Sequence, residues 1–91
     1  MIDKEVKKSL LVKSQTLKPV VILGNNGLTD PVTHEINLAL DTHELIKIRI
    51  NAADREERDI LIDAICKTSH AELIQKIGHV ISIYRARPKK K

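Results

Sequence analysis

The chain has 91 residues, 42% of them hydrophobic, and single cores usually run to about 100–150 residues, so it reads as one domain and a multidomain enzyme is excluded. Its interior must be aliphatic, because 13 Ile, 10 Leu and 6 Val stand against one aromatic, Tyr84, and the lone Cys66 rules out an internal disulfide. A net charge of +4 points to a polyanionic partner, and the lack of a membrane-length apolar run or a signal-peptide pattern makes a cytoplasmic protein the expectation.

Val6, Leu10 and Leu17 recur at helical spacing among Lys7, Lys8 and Lys13, which predicts a first amphipathic helix over 4–14. Leu17-Lys18-Pro19 ends it, and the unbroken run Val20-Val21-Ile22-Leu23 predicts a strand buried on both faces. Gly24-Asn25-Asn26-Gly27 then turns the chain, and Thr29 caps a second helix with Asp30 and Pro31 in its first turn. Val32, Ile36, Ala39, Leu40 and His43 give that helix one face.

From Leu45 to Asn51 the chain alternates, with Ile46, Ile48 and Ile50 on one side and Lys47, Arg49 and Asn51 on the other, so this strand turns one face to water. Asp54 opens a third helix with Glu57 placed for a capping box, and Ile60, Leu61, Ala64, Ile65 and Thr68 form its expected buried stripe. A hairpin follows, 73–77 and 80–85, turning at Gly78-His79. The expected fold class is α/β (α+β): helix-strand-helix-strand-helix-strand-strand, a four-stranded mixed sheet packed with three helices.

Charge is distributed unevenly. Residues 1–18 hold five cations and two anions, residues 30–44 hold four anions and no Lys or Arg, and residues 73–91 hold six cations. Residues 88–91 read as a basic tail following a domain at 1–87.

Catalytic chemistry finds little support. Cys66 has no motif around it, His34, His43, His70 and His79 match no compact zinc spacing, and the carboxylates of the third helix interleave with Arg55 and Arg58 as ordinary ion pairs. Gly24–Gly27 is no Walker A loop, since Leu28-Thr29 follows it where Lys-Ser/Thr would be required. No catalytic residue, metal site, cofactor or small-molecule substrate is expected. A Gly-x-x-Gly turn leading into a capped helix does present backbone N–H groups near a positive helix end, a geometry suited to a phosphate chain. A tight strand-to-helix connection needs glycine as well, so the spacing alone leaves both readings open. With only Tyr84 aromatic there is no stacking platform, so Lys, Arg and loop amides would have to carry nucleic-acid binding.

Five blocks taken together are more specific: Leu17-Lys18-Pro19-Val20-Val21, Gly24-Asn25-Asn26-Gly27-Leu28-Thr29, His43-Glu44-Leu45-Ile46-Lys47, Asp54-Arg55-Glu56-Glu57-Arg58, and Gln75-Lys76-Ile77-Gly78 with Tyr84-Arg85. In this order they closely resemble the CRM (chloroplast RNA splicing and ribosome maturation) domain family and, within it, the stand-alone bacterial YhbY-like proteins. The resemblance implies an RNA-binding domain with a fold similar to the C-terminal domain of translation initiation factor 3. It also implies a partner in rRNA of large-subunit ribosomal precursors. Gln15 departs from the histidine that many relatives carry before the Leu-Lys-Pro block.

The expected RNA-binding residues are Gly24, Asn25, Asn26 and Gly27 with Thr29 as backbone clamp, and Lys18, Lys47, Arg49, Arg85 and Arg87 as surrounding charge. The oligomeric state is open, with a monomer expected. The alternative is a protein-interaction module that docks on a ribosomal protein without direct RNA recognition; a nuclease or RNA-modifying enzyme would need an acid–base pair or metal cluster that the sequence does not supply.

Overall fold

The computed structural model describes residues 4–24, 27–51 and 54–86; Asn25, Asn26, Arg87 and the expected tail at 88–91 lie outside the described residues. The elements run α1 (Lys4–Ser14), β1 (Pro19–Leu23), α2 (Asp30–His43), β2 (Leu45–Ile50), α3 (Arg55–Ser69), β3 (Glu72–Ile77) and β4 (Val80–Tyr84). This is the expected order. The strands form one mixed sheet in the order β1-β2-β4-β3, with β1 parallel to β2 and both β2–β4 and β3–β4 antiparallel.

The alternation in β2 sorts the two faces of the sheet. Ile46, Ile48 and Ile50 are buried with Val21, Leu23, Ile81 and Ile83 against Ile36 and Leu40 of α2 and Ile62 and Ile65 of α3. Each such side chain contributes about 1.5–3 kcal/mol by leaving water. On the other face α1 covers only a corner, where Leu10, Leu45 and Ile74 are buried with Leu11, Leu17 and Tyr84 beside them.

That unequal coverage corrects three expectations. β1 is an edge strand with one buried face: Val21 and Leu23 are buried, whereas Val20 and Ile22 are 52% and 58% exposed because α1 does not reach over them. In α1 Val6 is exposed, and Ser14 is buried in its place, its hydroxyl donating to the Leu11 carbonyl at 2.8 Å. In α3 the buried residues are Ile62, Ile65 and Ser69. Ile60 and Thr68 are exposed, and Ile60 lies about 160° around the helix from Ile62.

The connections are short. Gly78 takes φ +57 in the two-residue turn of the β3–β4 hairpin, a positive φ for which glycine is suited. α3 ends on His70 at φ 56 and ψ 35, its N–H donating to the Cys66 carbonyl. Side chains other than glycine and asparagine are disfavoured in this left-handed conformation. His70→Gly should therefore raise stability by about 0.5–1 kcal/mol in chemical denaturation without changing the denaturant dependence.

Candidate functional site

The glycine loop lies at the carboxyl end of β1. The Gly27 N–H donates to the Gly24 carbonyl at 3.1 Å and closes a four-residue turn, so this amide already has a partner within the chain. Gly27 has φ +70, a conformation that favours glycine, while a Cβ there would stand in ordinary contact 3.4 Å from Leu61 Cδ2, so the backbone conformation accounts for the glycine at this position. Gly24 is different. It has no positive φ, and among the described residues a Cβ there would meet nothing within 4 Å, so its missing side chain leaves open space that they do not use.

Thr29 is the N-cap of α2, as expected: its Oγ1 accepts from the Val32 N–H at 3.4 Å and its carbonyl accepts from the Thr33 N–H at 2.8 Å. β1 and β2 are parallel and each is followed by a helix, so the N-termini of α2 and α3 lie toward the same end of the sheet. Partial positive charge gathers at such ends. Asp54 is the N-cap of α3 by position, but its side chain makes no cap hydrogen bond, and the expected capping box does not form there.

At the opposite end of β1, roughly 17 Å away for a five-residue strand, Lys18 and Lys47 line one groove of about 460 Å³ together with Lys13. Lys13 is not among the site residues expected from the sequence; its signal is its position one residue before the end of α1, two residues from the α1–β1 connection. A second cavity of about 270 Å³ shares Lys47 and continues over Gln75, Ile77 and Ser82 on the open sheet face. Arg49 stands two residues beyond Lys47 on the same face, its Nε donating to Asn51 Oδ1 at 3.2 Å. In the β1–β2 register Lys47 lies beside Pro19 and Arg49 beside Ile22. Cations thus run along β2 from the groove toward the loop.

Arg85 belongs elsewhere. Its Nη1 donates to Asn37 Oδ1 at 2.8 Å and to the Ser69 carbonyl at 2.7 Å, and its Nη2 donates to Asp41 Oδ1 at 2.8 Å and to the Asn37 carbonyl at 3.2 Å. The guanidinium fastens the end of β4 to α2 and the end of α3. Its Nη1 and Nη2 donors are engaged within the fold, so Arg85, expected as an RNA-binding cation, also serves as a structural latch.

Charge separates between the two sides of the sheet. α2 carries Asp30, Glu35 and Asp41 with no Lys or Arg, and in α3 four carboxylates face three cations. Lys76 on this side is held by Asp59 of α3, whose carboxyl is kept below its ordinary value chiefly by the hydrogen bond from that ammonium. On the other side α1 has four lysines and one Glu, and Lys47 and Arg49 add to them. An extended polyanion is favoured on the α1 side and repelled from the helical side.

Reactive chemistry has little to work with among the described residues. No group of three or more His, Cys, Asp or Glu side chains converges as a metal site. Burial pushes the Cys66 thiol up, with Asp63 and Glu72 adding to the effect, so the thiolate is disfavoured. No helix of the described residues is long and apolar enough to cross a membrane.

Comparison with known proteins bears on the whole of this arrangement. The family model of the CRS1 / YhbY (CRM) domain matches residues 2–85. A Pseudomonas aeruginosa protein named as a probable RNA-binding protein is 41% identical over 88 residues, covering 97% of this chain and 85% of that protein. A Haemophilus influenzae protein named as an RNA-binding protein is 49% identical over 69 residues, 76% of this chain and 70% of that one. The solution structure of a hypothetical protein from Staphylococcus aureus superimposes with a TM-score of 0.83 at 25% identity, covering 100% of this chain and 95% of its own.

The latch yields a stability prediction. Arg85→Ala should cost about 2–3 kcal/mol, because charge-assisted bonds are lost and the Asn37 and Ser69 carbonyls are left short of a partner. Arg85→Lys should recover only part of that loss in thermal or urea unfolding, since an ammonium cannot reproduce the planar fork.

Proposed function

The chain belongs to the CRS1 / YhbY (CRM) domain family, and from that membership we propose that it is a cytoplasmic RNA-binding protein that holds structured rRNA through its phosphate backbone during assembly of the large ribosomal subunit. The observation that carries RNA over other polyanions is the set of relatives named as RNA-binding, two of which match 97% and 76% of this chain. Charge distribution supports the same reading. The strand cations Lys47 and Arg49 and the groove lysine Lys18 lie on the cationic side of the sheet, and the Gly24–Gly27 loop with Thr29 lies at the end where two helices start. In this reading the phosphate chain runs along β1 and β2 from groove to loop, and the protein acts by binding without catalysis.

The loop enters as a clamp through the open space at Gly24, which lets a sugar–phosphate chain approach the backbone closely. Gly27 contributes mainly by fixing the turn. A second reading, docking on a ribosomal protein, is favoured by the apolar side chains of Val20, Ile22 and Ile77, which are 52%, 58% and 64% exposed. Titration with protein-free rRNA fragments separates the two readings, since the docking module gives no binding there.

Two measurements test the clamp and its electrostatics. With about four to six phosphates neutralised, log K against log salt should fall with a slope of roughly −3 to −5, and a salt-independent affinity would contradict the model. Gly24→Ala should leave the fold intact or up to about 1 kcal/mol more stable, yet weaken RNA binding by filling the approach. Asn25→Asp with Asn26→Asp should weaken it further by placing two carboxylates where a phosphate sits, with the melting temperature unchanged. If both loop variants melt like the parent and bind RNA equally well, the loop is only a connector.

A further inference from the structure

The groove containing Lys13, Lys18 and Lys47 has a property that phosphate binding alone does not use. Beside the lysines, Thr16 and His43, its lining includes the aliphatic side chains of Leu17, Val20 and Leu45, and among the described residues none that lines it bears a carboxylate. Its volume of about 460 Å³ lies within the roughly 300–1,000 Å³ range of small-molecule sites, far more than one phosphate fills. Apolar surface bordered by cations matches a ligand with a flat, weakly polar body and an anionic end.

We propose that this groove receives one unstacked nucleotide of the bound RNA, with its base against Leu17, Val20 and Leu45 and its phosphate among the three lysines. The inference rests on the RNA-binding reading above and deepens it, because it makes the protein a reader of a bulged or splayed nucleotide within structured RNA. Bases leaving a stack are held between aromatic or apolar side chains. Here Tyr84, the one Phe, Tyr or Trp residue of the chain, packs with Leu10, Leu45 and Ile74 in the small cluster beneath α1, and among the described residues the one ring that lines the groove is the imidazole of His43. The aliphatic wall takes the place of an aromatic platform. A peptide partner is disfavoured by three lysines lining one groove with no carboxylate among the described lining residues.

A hairpin RNA in three forms tests this on the full chain: a fully paired stem, the same stem with one bulged nucleotide, and that bulge without its base. The bulged form should bind about five- to tenfold more tightly than the paired stem, somewhat below the benefit of stacking on an aromatic ring. The abasic bulge should fall back to the affinity of the paired stem. Val20→Trp, at an exposed position of the edge strand, fills the groove and should erase the difference between bulged and paired RNA while the melting temperature stays that of the parent. Equal affinity for the bulged and abasic forms, or for the bulged and paired forms, overturns the nucleotide subsite while RNA binding itself stands. If none of the three RNAs binds, the RNA-binding reading fails and the subsite fails with it. The three-RNA series on the parent protein decides the matter whether or not the tryptophan variant folds.

Discussion

β2 buries Ile46, Ile48 and Ile50 beneath α2 and α3 and turns Lys47 and Arg49 to the opposite face, so one strand of six residues fixes which side of the sheet is core and which is cationic. A shift of register by one residue would exchange the two sets and expose the core. The parallel pairing with β1 and the antiparallel pairing with β4 hold that register from both sides. With two longer helices on one face and the 11-residue α1 on the other, the sheet cannot be covered equally. The uncovered strip is where the grooves, the exposed side chains of Val20, Ile22 and Ile77, and the strand cations collect.

Polarisation of charge follows from the same division. The carboxylates of α2 and α3 sit on the covered side, where Arg85 and Lys76 are drawn into pairs with Asp41 and Asp59. Among the described residues no ion pair holds the cations of the α1 side, and the +4 of the whole chain understates the contrast between its two surfaces. Net charge alone would predict weak, diffuse attraction. Segregation supplies direction.

Much of this was legible in residue order, and the misreadings share a cause. The period of two at 45–50, the Thr29 cap and the Gly78 turn are local signals, and they identified β2, the start of α2 and the hairpin. What depends on neighbours in space could not be read locally. The run Val20–Leu23 is equally apolar whether a strand is central or at an edge, and only the strand order shows that β1 has one uncovered side. Arg85 lies next to a basic terminus in sequence, yet in space it meets Asn37, Asp41 and Ser69, from 16 to 48 residues away. The groove escaped for the same reason, since Lys13, Lys18 and Lys47 come from a helix, a connection and a strand. The loop and the strand cations, each contiguous in sequence, could be named; the site as a shape could not.

α2 and β2 are joined by a single residue, Glu44, held at φ 65, with its N–H on the Leu40 carbonyl and its own carbonyl accepting from the Arg85 N–H. A joint of one residue, bonded on both sides, has no slack. The backbones that carry His43 and Lys47, which both border the groove, therefore keep their relative position through covalent geometry, and only side-chain rotamers are left to be ordered there when a ligand arrives. The facing wall is built differently: Lys13, in the last turn of α1, and Lys18, at the end of the α1–β1 connection, are exposed side chains, and they lose rotamer freedom on contact. The entropic cost of occupation falls mostly on that wall, which makes the α1 side the adjustable jaw and the β2 side the fixed one.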